Sequence, residues 1–255
     1  MIPLSDDNPT LRTPVVTAGL LALIGAAWVW GQGAGFDPRT LAASVCNLGL
    51  VPGEITGAAP LGTAVPMLQG MACVVDAGPV NLLTPLTSMF LHGSWGHLLG
   101  NALFLWVFGN NVEDSMGRLR FLVFYLACGL AAAAAQVALE PASPVPMVGA
   151  SGAISGVMGA YLVLYPRVRV NMLFIFVIIF RIFPLPAWLV ITYWFAIQVF
   201  SLLPSLGGTA ATSGVAFAAH VGGFVAGLLL VKPFENRRLV GVRTLERHRR
   251  HPDHP

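Results

Sequence analysis

Two side chains in this sequence pair a nucleophile with a base. Ser151 stands in Gly149-Ala150-Ser151-Gly152 and His220 in Ala219-His220-Val221-Gly222-Gly223, each within a long apolar run. A serine hydroxyl attacks a carbonyl effectively only when a neighbouring imidazole removes its proton, so this combination reads as acyl transfer. His97 and Asn101, one helical turn apart in His92-Gly93-Ser94-Trp95-Gly96-His97-Leu98-Leu99-Gly100-Asn101, share a helix face and bring further polar groups. With the Ser151 backbone N–H, they form a set of donors for the negative charge that develops on an attacked carbonyl oxygen. No carboxylate lies in an apolar run near the serine, so a Ser/His dyad without an acidic third member is the most that the sequence offers.

These groups sit in a chain built for lipid. Of 255 residues 56% are hydrophobic and 10% charged, too little polar surface for a water-soluble domain. Nearly charge-free blocks cover 14–30, 83–109, 119–139, 145–165, 185–204 and 211–231. Each matches the roughly 20 residues needed to cross a bilayer core. The expectation is an all-α polytopic bundle of six transmembrane helices with a long external loop between the first and second. A shorter block, 170–183, is interrupted by Arg181 and bracketed by Arg169 and Pro184, and reads as a buried or interfacial re-entrant element.

Charge sets the direction of the bundle. Arg12, then Arg118 and Arg120, then Arg167, Arg169 and Arg181, and then the tail from Lys232 to Arg250 fall on one side, leaving Arg39 for the other. By the positive-inside rule both termini are cytoplasmic, in a bacterial inner membrane. The division that follows is a cytoplasmic segment 1–13, a membrane domain 14–232 and a basic cytoplasmic tail 233–255. Topology and attraction to anionic lipid account for the net charge of +3, and no nucleic-acid partner is expected. The external segment 31–82 is rich in Gly and Pro and reads as turns and short helices lying on the bilayer. It holds Cys46 and Cys73, where the compartment allows a disulfide but the sequence does not decide it.

Polar residues inside spans are costly unless they face the bundle or water, which makes them the place to look for chemistry. Counting along the blocks puts His97 roughly 10 Å, Asn101 roughly 16 Å, Ser151 about 8 Å and His220 about 13 Å below the outer surface. The fourth block, starting near Pro146, carries Gly149, Gly152, Gly156 and Gly159, and the sixth, starting near Ala211, carries Gly223 and Gly227. Small residues let membrane helices approach until backbones nearly touch, which would bring Ser151 within reach of His220. The same spacing packs helices in many bundles, with the serine bonded back to its own helix and the histidine filling a polar niche. The second polar pair at matched depth favours a site.

At these residues the sequence resembles the rhomboid family of intramembrane serine proteases. The matching pieces are the GASG run at 149–152, Ala219-His220-Val221-Gly222-Gly223 with Gly227, His97 with Asn101, and Phe108-Gly109-Asn110-Asn111-Val112-Glu113, in order along about residues 10–232. The resemblance implies Ser151 as nucleophile, His220 as base, and His97, Asn101 and the Ser151 N–H as the oxyanion site. It also implies substrates that are membrane proteins with small or helix-breaking residues near the cut. Two features depart from the family pattern: no Trp-Arg pair occurs in 31–82, and Ser155 stands where some members carry a tyrosine that stacks on the histidine.

No metal or cofactor is expected, since the intramembrane histidines lack an HExxH-like carboxylate, and the spans lack the paired aspartates of an aspartyl protease. His248, His251 and His254 in the tail have no fixed geometry for a metal. The competing reading is a non-catalytic bundle: a rhomboid-like protein that binds client helices, or a transporter, although no internal repeat is present. Substrate entry beside the fifth block is the expected route, where Trp188, Trp194, Phe195 and Phe200 present bulky faces. The same aromatics could simply anchor and pack that helix.

Overall fold

The computed structural model describes residues 2–176, 179–206 and 215–241. The expected start of the sixth block near Ala211, the external turn 205–210 beyond Leu206, and the tail beyond Gly241 with its histidines lie outside them.

The chain opens with strand β1 (Ile2–Asp6) and helix α1 (Val15–Ala26), which runs on through a wider turn, Ala27–Gly31. α2 (Pro38–Leu48) begins with Pro38 at its first position and an Asp37 carboxylate accepting the Arg39 N–H at 3.1 Å, a pre-set and capped start. α3 (Pro52–Thr56) and the hairpin β2 (Ala64–Pro66) with β3 (Ala72–Val74) complete this segment, and a Cys46–Cys73 disulfide ties α2 to β3. α4 (Thr84–Thr87) leads to α5 (Trp95–Phe104), which continues through a wide turn, Leu105–Gly109, into α6 (Asn110–Met116). Then follow α7 (Arg118–Leu139), α8 (Ser151–Leu164), strands β4 (Arg169–Phe176) and β5 (Ile179–Pro186), α9 (Ala187–Leu206) and α10 (Phe217–Phe234).

Among the described residues three stretches are long and apolar enough to cross a bilayer: Arg118–Leu139, Ala187–Pro204 and Phe217–Phe234. Val15–Gly31 and Ser151–Leu164 are shorter apolar helices. The protein is therefore an integral, multi-spanning membrane protein, mostly helical. α10 packs along both α7 and α8, and the glycines set how closely. A Cβ on Gly223 would lie 2.0 Å from the Gly152 carbonyl oxygen, and one on Gly227 2.0 Å from that of Gly156. Any side chain at either place would push the helices apart.

The expectation of an all-helical chain needs correcting in two regions: segment 31–82 carries the short hairpin β2–β3 beside its turns and short helices, and a second sheet forms from β1, β4 and β5. In the second, β4 and β5 pair antiparallel, and β1 adds to β4 in the order β1-β4-β5. The reason lies in the residues: a Val-, Ile- and Phe-rich run suits extended backbone, and Pro184 and Pro186 are tolerated on β5 because it is the sheet edge. Burial alternates along β4, with Val170 and Met172 buried and Ile175 exposed, whereas β5 is exposed on both faces at Phe180, Ile182 and Phe183.

Helix starts also differ from those counted along the blocks. α5 begins at Trp95, α8 at Ser151 and α10 at Phe217, later than the apolar blocks that contain them. Pro144 and Pro146 disfavour helical backbone in the residues before them, and Gly149 takes φ +129°, so the fourth block enters as a loop. Ser94, extended at φ −165°, caps α5 by accepting the His97 N–H at 3.2 Å. Ser151 thus stands at a helix N-terminus rather than about one and a half turns into a helix, and His97 lies in the first turn of its own.

Candidate active site

Three helix beginnings and the chain leading into them converge at one end of the bundle. The loop ahead of Ser151 is held from two sides. Leu50 and Met147 exchange backbone hydrogen bonds (2.9 and 2.7 Å), and the Gly149 N–H donates to the Ser88 carbonyl at 2.8 Å. The segment 31–82 thereby helps to place the serine. Gly149 serves a further purpose, since a Cβ there would meet the His97 ring at 2.7 Å.

Ser151 Oγ and His220 Nε2 are 2.8 Å apart. Their helices are held at this distance by the glycine contacts just described and, at the start of α10, by Gln136 of α7, whose Oε1 accepts the Ala219 N–H at 3.2 Å. The second ring nitrogen of His220, Nδ1, lies 2.8 Å from Gln198 Oε1 on α9. Ser151 and His220 are both half-buried. They line a cleft of about 1060 Å³ together with His97, Asn101 and Trp194.

Asn101 is buried, and its Nδ2 donates to His92 Nε2 at 2.9 Å, using one of its two amide hydrogens. His92 is itself fixed through its backbone. Its N–H donates to Gln32 Oε1 and its carbonyl accepts from Gln32 Nε2, both at 2.8 Å. The His92 and His97 rings meet edge to face at 5.0 Å. The Ser151 N–H belongs to the first turn of α8, where backbone donors have no partner within the helix.

The departure at Ser155 acquires physical content. Ser155 Oγ donates to the Ser151 carbonyl at 2.6 Å and does not cover the histidine. The aromatic neighbours of His220 come from elsewhere: Trp194 at 5.9 Å between ring centroids, tilted by 37°, and Phe217 at 6.3 Å, edge-on. Tyr161, on the same helix as Ser151, bonds Asp6 instead. The aromatics of α9 divide by face. Trp194 and Phe195 pack on Phe224 of α10, whereas Trp188 and Phe200 are exposed.

Gln198 and Gln136 were not singled out by sequence reasoning. The signal was present: each is an amide inside an apolar run, and such residues usually face a polar interior. His92 stood in the sequence without a partner, and its bond to Asn101 followed only from the turn that folds it back.

Fold and cleft together define a multi-spanning helical bundle with a serine–histidine pair where its helices begin. The rhomboid domain profile matches residues 80–235, more than half of the chain, and the chain belongs to the rhomboid family. It is similar to the rhomboid protease GluP of Bacillus subtilis, 46% identical over 81 residues, which cover 32% of this chain and 15% of that protein. It is also similar to the putative rhomboid protease YdcA of the same organism, 38% identical over 77 residues (30% and 38% of the two chains). Rhomboid protein 1 of Saccharomyces cerevisiae mitochondria is 29% identical over 146 residues, covering 56% of this chain and 39% of that one. The matched stretches thus span well under half the length of these relatives.

Proposed function

We propose that this protein is an intramembrane serine endopeptidase that cleaves transmembrane segments near their outer end. The observation that carries the reading is the 2.8 Å contact between Ser151 Oγ and His220 Nε2 inside a cleft that also holds His97 and Asn101. Family membership supports it.

The chemistry runs as acyl transfer. Ser151 Oγ attacks the scissile carbonyl carbon while His220 Nε2 takes the hydroxyl proton. The carbonyl oxygen becomes an oxyanion, met by the Ser151 N–H, the Asn101 amide and His97. The carbon–nitrogen bond then breaks as His220 returns the proton to the leaving amine, which leaves an ester on Ser151. Water, deprotonated by His220, attacks that ester and releases the new carboxyl end and the free serine. Gly152, Gly156, Gly223 and Gly227 act by packing, since they let α8 and α10 approach closely enough for the pair to meet, and Gly149 leaves room for the His97 ring.

The arrangement in the membrane follows the sequence: six spans, both termini cytoplasmic, and the segment 31–82 external, in a bacterial plasma membrane. The spans are α1 with its extension, the rod from α5 through α6, and α7, α8, α9 and α10. Helix beginnings at residues 95, 151 and 217 then share the outer side, and the cleft opens toward it. Substrates are spans that unwind locally, because an intact helix keeps its carbonyls in hydrogen bonds. Entry beside α9 fits the exposed Trp188 and Phe200 on that helix.

The test is cleavage of a reporter transmembrane substrate in liposomes. Ser151→Ala and His220→Ala are each expected to reduce cleavage to background while the protein still inserts and folds. Wild-type rates from Ser151→Ala would overturn the assignment, and client binding without cleavage would become the better account.

A further inference from the structure

The ring of His220 has two nitrogens, and a base at Nε2 works only if the resting proton sits on Nδ1. A neutral imidazole carries one N–H on either nitrogen, and the wrong tautomer would present Nε2–H to Ser151 as a donor. No carboxylate bonds His220 among the described residues. We infer that Gln198 is the positioning residue of the dyad: its Oε1 accepts the Nδ1 proton of His220 and so keeps the Nε2 lone pair facing Ser151 Oγ. This inference rests on the roles assigned above to Ser151 and His220.

The orientation of the amide follows from its other contact. Gln198 Nε2 lies 3.2 Å from the Trp194 carbonyl oxygen, one helical turn earlier on α9. A carbonyl oxygen can only accept, so the NH2 end of the amide must face it. The Oε1 end is then the one 2.8 Å from His220 Nδ1, and that nitrogen must be the donor. By elimination Nε2 is the acceptor for the Ser151 hydroxyl at 2.8 Å. The order Trp194 carbonyl, Gln198 amide, His220 ring, Ser151 hydroxyl thus has one consistent set of proton positions. Gln198 is 7% exposed on a mostly apolar helix. A buried amide is costly unless its polar ends are paired, and here each end meets a partner.

An amide orients the ring without adding charge, which separates this device from an acidic third member. Its partner on the other side of α10 is Gln136, which fixes the Ala219 backbone rather than the ring. Since Gln198 belongs to α9, the ring is correctly protonated only while α9 lies against α10. The other titratable groups on the cleft are His97 on α5 and Glu140, just past the end of α7, with His92 beside His97.

The test compares three proteins. Gln198→Leu removes the acceptor and keeps most of the bulk. It is expected to lower kcat by about tenfold to hundredfold with KM changed less than about twofold, the pattern of a lost transition-state contribution. Gln198→Glu keeps an acceptor and is expected to be faster than the leucine variant. Its carboxylate favours the charged imidazole, so the acid limb of kcat should move up by about one pH unit, because the base must be neutral to act. Wild-type kcat in Gln198→Leu overturns the inference, as does equal inactivity of both variants when both are folded. A readout independent of cleavage is the ¹⁵N spectrum of histidine-labelled resting protein, with the His220 signal assigned by its loss in His220→Phe. Protonation at Nδ1 in the wild type, lost in Gln198→Leu, is expected, and an unchanged tautomer overturns the inference even if Ser151 proves not to be a nucleophile.

Discussion

Buried polar groups gather at both ends of this bundle, and the two gatherings differ in kind. Where α1 begins and α6 ends, the Glu113 carboxylate accepts the Val16 N–H (3.0 Å), the Thr17 N–H (2.8 Å) and the Thr17 hydroxyl (2.8 Å). Asp114 accepts the Leu11 N–H at 2.8 Å and pairs with Arg12 at 3.0 Å. Tyr161 and Asn111 both bond Asp6 of β1. These groups are spent on one another and on the first residues of the chain, and they lock the N-terminal strand to the bundle. At the opposite end the polar groups line a cleft, and their hydrogen bonds hold a hydroxyl, a ring and an amide open to a fourth party. Buried polarity therefore does not mark a site by itself. Access does.

The comparison can be broken first at the helix contact that serves the cleft. Gly227→Leu would drive a side chain into the Gly156 backbone, and overpacking of this kind costs typically 1–3 kcal/mol or more. Loss of both cleavage and thermal stability is expected, read by a melting curve beside the reporter assay. Glu113→Ala should separate the two ends. It strands two backbone donors at the start of α1, and an unpaired buried donor costs about 1–3 kcal/mol. The variant should melt lower, with the kcat of its folded fraction close to wild type.

Asn101→Ala should weigh the other way, with kcat down by about 10² to 10³ for one lost oxyanion donor, and a melting loss smaller than that of Glu113→Ala, since it leaves one buried acceptor, His92 Nε2, without its partner. A melting loss equal to that of Glu113→Ala, with kcat kept, would place Asn101 with the structural groups instead. Ser155→Ala should be the mildest. Its hydroxyl bonds back to its own helix, so melting should change by no more than the net worth of one hydrogen bond, about 0.5–1.5 kcal/mol, with kcat close to wild type.

How much of this was legible in the sequence depends on the range of each interaction. The dyad residues could be named because few side chains in apolar runs can do acyl chemistry, and a serine and a histidine carry that meaning by type. The glycines of α8 and α10 were legible for the same reason. The depths were not, because counting from the edge of an apolar block assumes that the helix starts there. Pro144, Pro146, the positive φ of Gly149 and the extended Ser94 delay the starts of α8 and α5. The strands β4 and β5 carried a strand composition, which block length alone did not weigh. Gln198 stood out by its polarity, but its partner was hidden for a different reason. Its partner lies 22 residues away on another helix, and the rotation of α9 about its axis cannot be read from a run that is apolar all round.

The central claim is that Ser151 is a nucleophile made reactive by His220. A fluorophosphonate probe bonds covalently to such a serine and needs no knowledge of the substrate. The measurement is mass spectrometry of the probe-treated protein in lipid. The account expects one adduct, on the peptide that contains Ser151, absent in Ser151→Ala and reduced to background in His220→Ala. Equal labelling of His220→Ala, or an adduct that persists in Ser151→Ala, would contradict it.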